Sequence, residues 1–189
     1  MRNRIGLIAE DRSDIAVINE LIKKIAGTKD FVLKGFVGRG CGKIRGKCLQ
    51  WAQDLKSKGC NSVILLHDLD SRNLLELERQ LRESFSPCPI KNNVIIIPVQ
   101  EIEAWLLSDE KAIQQAMNLR DKVSRVPNPE SITDPKSRLG EIIYIRSRKT
   151  KRYVNTIHNS RIAASLSIMK VRRCKSFRPL EQFLTEHLL

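Results

Sequence analysis

Residues 63–71 have the sequence VILLHDLDS, an unbroken apolar run followed by two acidic residues. A short run that is apolar on both faces is typical of a strand buried in a parallel sheet. Asp68 and Asp70 follow it two positions apart, and side chains alternate along an extended chain, so we expect both carboxylates on one side. This stretch predicts an α/β fold with acidic residues at a strand end.

The sequence around this stretch alternates strand and helix patterns. We predict strands at 5–9, 31–37, 62–66 and 93–99, and the last is expected to be central because it is apolar on both faces. A helix capped by Ser13 or Asp14 follows the first strand, and further helices are predicted at 44–58, 74–84, 103–107, 110–119, 137–146, 157–171 and 178–187. We therefore expect an α/β domain over residues 1–118, with a mostly parallel four-stranded sheet flanked by helices. A basic helical extension over residues 119–189 is expected to pack on it.

Composition excludes several classes of protein. The chain has 189 residues, of which 41% are hydrophobic, and a formal net charge of +13. This apolar content can form a core and argues against disorder. No apolar run approaches the roughly 18 residues that a membrane span needs, and the first residues do not resemble a secretory signal. We expect a cytoplasmic protein with no membrane partner.

The positive charge is concentrated in one part of the chain. Residues 119–178 contain 16 basic and 4 acidic residues, whereas residues 1–118 contain 18 and 15. One interpretation is an ordinary solvated surface. The other is a face that binds the phosphates of DNA or RNA, with aromatic residues nearby to stack on bases. The candidates are Arg146, Arg148, Lys149, Lys151 and Arg152 near Tyr144 and Tyr153, and Lys170, Arg172, Arg173, Lys175 and Arg178 near Phe177.

A glycine-rich segment over residues 38–46 is predicted to be a flexible loop between a strand and a helix. It does not match a nucleotide-binding P-loop. That motif needs four residues between its two glycines and Ser or Thr after the lysine, and Ile44 follows Lys43 here. Arg39 and Lys43 remain candidates for phosphate contact from this loop.

The five cysteines form no CxxC pair and are an odd number. With three histidines in the chain, neither a disulfide framework nor a zinc site is indicated. We expect reduced cysteines that are mostly buried.

Three predicted strand ends carry acidic residues. Glu10 follows the first strand, with Asp14 four residues later; Asp68 and Asp70 follow the third; Glu101 and Glu103 follow the fourth. Each element alone also fits a helix cap or a turn. In an open parallel sheet, however, the carboxyl ends of the strands meet at one edge. Such carboxylates suit Mg²⁺ or Mn²⁺, which can support phosphodiester hydrolysis.

The blocks IGLIAEDRSD (5–14) and VILLHDLDS (63–71) resemble the Toprim domain of topoisomerases, primases and small nucleases. The blocks PVQEIEAWLLSD (98–109), HNSRIAASLSI (158–168) and CKSFRPLEQFL (174–184) resemble small stand-alone Toprim-like proteins of bacteria and phage, related to the overcoming-lysogenization-defect nucleases. Many Toprim domains have Gly after the glutamate, where this chain has Asp11.

The resemblance implies roles for individual residues. Glu10 would act on a metal or as a general acid/base, and Asp68 and Asp70 would be metal ligands. Asp14 would be a second acidic ligand, and Glu101 or Glu103 would complete a second metal site. Separately, Lys175 and Arg172 are candidates to neutralise the charge that develops on a scissile phosphate.

These observations favour a Mg²⁺-dependent nuclease. The resemblance suggests a role in antiviral defence and an ATPase partner, and self-association is left open. One alternative is a nucleic-acid-binding subunit whose acidic site is vestigial. A weaker one is a phosphatase of the haloacid-dehalogenase type, which has a similar acidic pair after a strand.

Overall fold

The computed structural model describes residues 3–38 and 41–188. Its four strands are β1 (Asn3–Ala9), β2 (Phe31–Val37), β3 (Ser62–Leu66) and β4 (Asn92–Ile96). The α-helices are α1 (Arg12–Ala26), α2 (Cys41–Ser57), α3 (Leu74–Phe85), α4 (Glu103–Leu106), α5 (Glu110–Ala116), α6 (Pro135–Arg146), α7 (Asn155–Ser165), α8 (Ile168–Val171) and α9 (Arg178–Leu188). Short 3₁₀ turns lie at Pro129–Ser131 and Lys175–Phe177.

The strands form one parallel sheet in the order β2-β1-β3-β4. Strand β1 is paired along its whole length with β2, from Asn3 opposite Phe31 to Ala9 opposite Val37. The predicted α/β fold with a four-stranded parallel sheet is therefore confirmed. Because all four strands run the same way, their carboxyl ends lie at one edge of the sheet.

The prediction that the fourth strand is central was wrong, because β4 is at the edge of the sheet. Val94 and Ile96 pack into the apolar cluster on one face, whereas Ile95 and Ile97 pack into the cluster on the other face. An apolar run therefore shows that helices cover both faces of the strand. It does not show that strands flank it on both sides.

Two apolar clusters sandwich the sheet. The smaller one joins the sheet to α2 and α3. The larger one includes residues from Ile5 to Leu184, so both predicted parts of the chain contribute to it. Within it, Trp105 and Phe177 meet edge to face with their ring centroids 5.4 Å apart. The division of the chain at residue 118 stays a prediction.

Three local predictions need correction. The N-cap of α1 is Asp11 rather than Ser13 or Asp14: its carboxylate accepts from the Ser13 amide at 2.9 Å, and Asp14 accepts from the Asp11 amide at 2.9 Å. The expected helix at 157–171 is two helices, α7 and α8, separated at Leu166 and Ser167. The helix after the glycine-rich segment begins at Cys41, so residues 41–46 are helical rather than a loop.

Cys48, Cys60 and Cys174 are buried. Over the described ranges, no helix combines the length and the apolar character that crossing a membrane requires.

Candidate active site

A pocket of about 510 Å³ opens at the carboxyl edge of the sheet. All six carboxylates that the sequence singled out as metal ligands line it: Glu10, Asp14, Asp68, Asp70, Glu101 and Glu103. The parallel topology explains this convergence, because each acidic group follows a strand that ends at the same edge.

The segment after β3 runs beside the segment after β4 and carries Asp68 and Asp70. The amides of His67, Leu69 and Asp70 donate to the carbonyls of Ile96, Pro98 and Gln100 at 3.0–3.1 Å. The Asp68 carboxylate also accepts from the Ile102 amide at 3.1 Å. The ladder continues past the ends of the strands, and this brings both aspartates next to Glu101 and Glu103.

Left-handed backbone is concentrated at this point. Asp70, Ser71 and Gln100 have φ values of +48°, +62° and +62°. The Gln100 side chain accepts from the Ser71 amide at 2.8 Å, which ties the two turns together. Non-glycine residues in this region are uncommon and strained, and such strain is often found at functional sites.

Glu10 has a carboxylate oxygen without a donor. Its Oε1 atom is buried and has no hydrogen-bond partner among the residues that the structure describes. His67 Nδ1 lies 3.0 Å from this oxygen, but the same nitrogen donates to the Asp68 carbonyl at 2.7 Å. His67 is fully buried, and Arg72 lies 3.5 Å from its Nε2 atom. Glu10 Oε1 is therefore an oxygen that a cation could satisfy.

Glu103 is held from the other side of the pocket by the C-terminal part of the chain. It is 4% exposed. Its Oε1 atom accepts from the Tyr153 hydroxyl and from the Asn159 amide, both at 3.0 Å. Burial and the negative charge of Glu103 raise the pKa of Tyr153 above its usual range, so this hydroxyl remains a donor. Tyr153, expected from the sequence to stack on bases, instead contacts Glu103, and no sequence pattern indicated the role of Asn159.

Four of the carboxylates have raised pKa values. Burial, followed by repulsion from Glu103, Asp11 and Glu10, raises the pKa of Asp14 to about 7. Burial and repulsion from Asp14 raise the pKa of Asp68 well above its usual range. The pKa values of Asp70 and Glu101 are also raised, again mainly by burial. Negative charge is thus crowded in this pocket, and either protons or a cation would relieve it.

Two cationic side chains and the N-terminal turns of three helices line the same pocket. Arg12, Lys136, Asn155 and Thr156 line it, and they lie in the first turns of α1, α6 and α7. The N-terminal ends of helices carry partial positive charge and attract anions. None of these four residues was among the site residues predicted from the sequence. The Asp134-Pro135 pair is a helix-start signal that indicates the position of Lys136.

Many of the basic residues predicted to bind nucleic acid hydrogen-bond to the protein itself. Lys151 donates to the carbonyls of Met117 and Asn118, and Arg173 donates to those of Ser108, Val126 and Pro127. Ion pairs join Arg148 to Asp121, Arg172 to Glu181, and Lys170 to both Asp109 and Glu110. Much of the positive charge of residues 119–178 is therefore neutralised or used to fix loops.

The remaining candidates have different positions. Lys43, Lys149 and Arg152 are exposed, and Arg39 lies outside the described residues. Lys175 is exposed and is not among the residues lining the acidic pocket; its backbone amide donates to Glu130 at 2.8 Å. The structure therefore does not bring Lys175 and Arg172 to the carboxylates, whereas it does bring Lys136.

The donor set fits a hard divalent cation. Within residues 3–38 and 41–188, no group of three or more His, Cys, Asp and Glu side chains forms a site that could by itself hold a metal ion. Mg²⁺ does not need one, because it commonly binds one or two carboxylates and completes its shell with water and phosphate oxygens. The unpartnered Glu10 oxygen beside Asp68 and Asp70 suits that mode of binding.

A family model described as Domain of unknown function (DUF4276) matches residues 9–185, which include the whole pocket. No curated protein and no solved structure matches the chain.

Proposed function

The chain belongs to the family described as Domain of unknown function (DUF4276), and from its pocket we propose that it is a Mg²⁺- or Mn²⁺-dependent nuclease. The observation that carries the proposal is the convergence of six carboxylates from three strand ends into one pocket. The Toprim-like sequence blocks support the same proposal.

In this proposal two of the three carboxylates of Glu10, Asp68 and Asp70 would bind the metal directly, with water and phosphate oxygens completing its shell. Glu101, Glu103 and Asp14 lie around them in the same pocket. A bound divalent ion supplies activation of water and stabilises charge on the phosphate. Glu10 Oε1, which has no donor, would either bind the ion directly or, where Asp68 and Asp70 are the two ligands, accept a proton from water.

The positive side of the pocket orients the substrate. Lys136 and the start of α7 at Asn155 and Thr156 line the pocket beside the carboxylates, and the Lys136 amide donates to Glu101 Oε2 at 3.1 Å. A phosphodiester placed between them has its negative oxygens near a lysine and a helix N-terminus. The surrounding net positive charge increases the local concentration of a polyanion.

The test is cleavage of labelled single-stranded DNA, duplex DNA and RNA with Mg²⁺ or Mn²⁺. We expect Glu10→Gln and Asp68→Asn to lower the rate by at least about 100-fold while both proteins remain folded. Glu83→Gln, which changes an exposed acidic residue on α3, is the matched control and should cleave like wild type.

If wild type and both pocket variants cleave equally, the acidic pocket is not the site of cleavage and the proposal is wrong. Loss of activity in EDTA, with recovery on adding Mn²⁺, is expected as well.

A second candidate is a nucleic-acid-binding subunit that does not cleave. The finding that favours it is that, among the described residues, no group of three or more His, Cys, Asp and Glu side chains forms a site that could by itself hold a metal ion. It predicts tight binding of nucleic acid, no cleavage of any of the three substrates, and no effect of divalent ions on stability. A cytoplasmic location, a role in defence and an ATPase partner remain parts of the nuclease proposal.

A further inference from the structure

A second groove lies against α6, and we name it the α6 groove. It has a volume of about 380 Å³ and is formed by one face of α6 and the segment 124–132. Its floor is apolar, since Ile142 is 8% exposed and Val126 and Ile132 pack on the core. Three arginines stand around this floor: Arg125, Arg138 and Arg146.

The two arginines of α6 are placed by helical geometry. Arg138 and Arg146 lie four residues before and four residues after Ile142, so all three share one face of the helix. Arg146 donates to the Ser124 hydroxyl at 3.4 Å, which turns its guanidinium toward the groove. Arg138 pairs with Glu141 on the surface, a type of contact that contributes little and that an anion can displace.

The wall opposite α6 is fixed in place. Arg173 donates to the carbonyl groups of Val126 and Pro127, the latter at 2.6 Å. Glu130 accepts from the amides of Lys175 and Ser176 at 2.8 and 2.9 Å. These contacts tie the segment 124–132 to the chain before α9, so the groove is formed before any ligand arrives.

Helix α6 connects the groove to the acidic pocket. Lys136, in its first turn, lines the pocket, whereas Arg146, at its end, lines the groove. Ten residues at 1.5 Å each span about 15 Å.

We propose that the α6 groove binds the sugar–phosphate backbone of the nucleic-acid strand whose scissile phosphate occupies the acidic pocket. This inference rests on the proposed nuclease function. Arg125, Arg138 and Arg146 contact phosphates, and the apolar floor contacts sugars. Because the residues lining the groove are not aromatic, base stacking contributes nothing there, and binding is independent of sequence.

Fluorescence anisotropy tests the proposal with labelled 12-nucleotide single strands of DNA and RNA of one sequence, in EDTA. We expect the double variant Arg138→Glu with Arg146→Glu to weaken binding at least tenfold. For this variant, the plot of log affinity against log salt concentration should be less steep by about 1.4. Two phosphate contacts are lost, and each contributes roughly 0.7 to the steepness. DNA and RNA should lose affinity alike, because the groove reads the backbone.

The control is the double variant Lys24→Glu with Lys56→Glu, which makes the same change in net charge. These exposed lysines are in the last turns of α1 and α2, and both helices run away from the carboxyl edge of the sheet. We expect at least a fivefold smaller effect from this control. Equal weakening by the two double variants would overturn the proposal, because net charge alone would then explain the binding.

The groove and the nuclease proposal can fail separately. Binding is measured without divalent ions. If the protein binds nucleic acid through Arg138 and Arg146 but cleaves none, the nuclease proposal is wrong and the binding role of the α6 groove stands. Conversely, cleavage that depends on Glu10 and Asp68, together with equal effects of the two double variants on binding, keeps the nuclease and removes the groove.

Discussion

The Tyr153 hydroxyl lies 3.0 Å from Glu103 Oε1, 50 positions earlier in the chain, and shares its single proton between this oxygen and Asn159 Oδ1. Asn159 donates to the same Glu103 oxygen from the buried face of α7. Helix α7 packs along α1, whose first turn contains Asp14 and lines the pocket. The C-terminal part of the chain therefore forms one wall of the acidic pocket as well as supplying positive charge.

Tyr153→Phe should lower the affinity of the acidic pocket for Mn²⁺ without unfolding the protein. The change removes one of two donors to Glu103 and leaves the ring in place. Loss of an outer partner of this kind typically lowers metal affinity about 10–100-fold. Titration of Mn²⁺ binding measures this, and Tyr144→Phe, on an exposed residue of α6, is the control. Unchanged Mn²⁺ affinity in Tyr153→Phe would show that Glu103 does not need this hydrogen bond.

Asp14→Asn should stabilise the metal-free protein at pH 8. The folded-state pKa of Asp14 is about 7, above the unfolded value of about 3.9. Between these values the folded state binds a proton that the unfolded state does not, so stability falls as pH rises from about 4 to about 7. Asparagine keeps the acceptor for the Asp11 amide and removes the buried charge.

Thermal melts at pH 5 and pH 8 measure this effect. We expect Asp14→Asn to raise Tm by at least about 2 °C at pH 8, the shift that about 1 kcal/mol gives in a chain of this size, and by less at pH 5. Glu83→Gln should change neither value. A lower Tm for Asp14→Asn at pH 8 would mean that the charged form is stabilised in the folded protein.

His67→Leu should destabilise the turn that carries Asp68. The substitution leaves the buried Asp68 carbonyl without its donor, which costs about 1–3 kcal/mol. Urea unfolding measures the loss, and His67→Asn, which keeps a side-chain donor, should recover part of it. His187→Leu, near the chain terminus, should have little effect. Equal stability of His67→Leu and wild type would remove His67 from the support of the site.

Arg173→Ala should lower stability by about 1–3 kcal/mol, because its guanidinium donates to three carbonyl groups. Arg178→Ala removes an exposed arginine nearby and should leave the unfolding midpoint unchanged. If Arg173→Ala unfolds like wild type and instead reduces the salt slope of nucleic-acid binding, then Arg173 contacts phosphate directly, as the sequence analysis first suggested.

Patterns within a few residues predicted most of the fold. Apolar runs and three- or four-residue spacing located β1, β3 and α1, since burial on one or both faces leaves a local record in the sequence. Convergence of Glu10, Asp68 and Glu101 followed from a general rule, because parallel strands end at one edge.

Contacts between distant segments were not predictable in this way. The Tyr153–Glu103 hydrogen bond depends on how α7 packs on α1, and no spacing rule encodes it. The role of Arg173 was hidden for another reason: its partners are backbone carbonyls, which every residue has. The position of β4 at the edge was missed because helices on two faces produce the same apolar run as neighbouring strands.

The two groups that hydrogen-bond to Glu103 are synthesised well after Glu103 itself, which has a consequence for folding during translation. Domains fold as they emerge from the ribosome, from the N-terminal end onward. All seven carboxylates that line the pocket, Asp11 included, are synthesised by residue 103, whereas Tyr153 and Asn159 follow about fifty residues later. A nascent chain that ends before residue 159 has the acidic residues without the groups that hold Glu103. The pocket is therefore completed only late in synthesis.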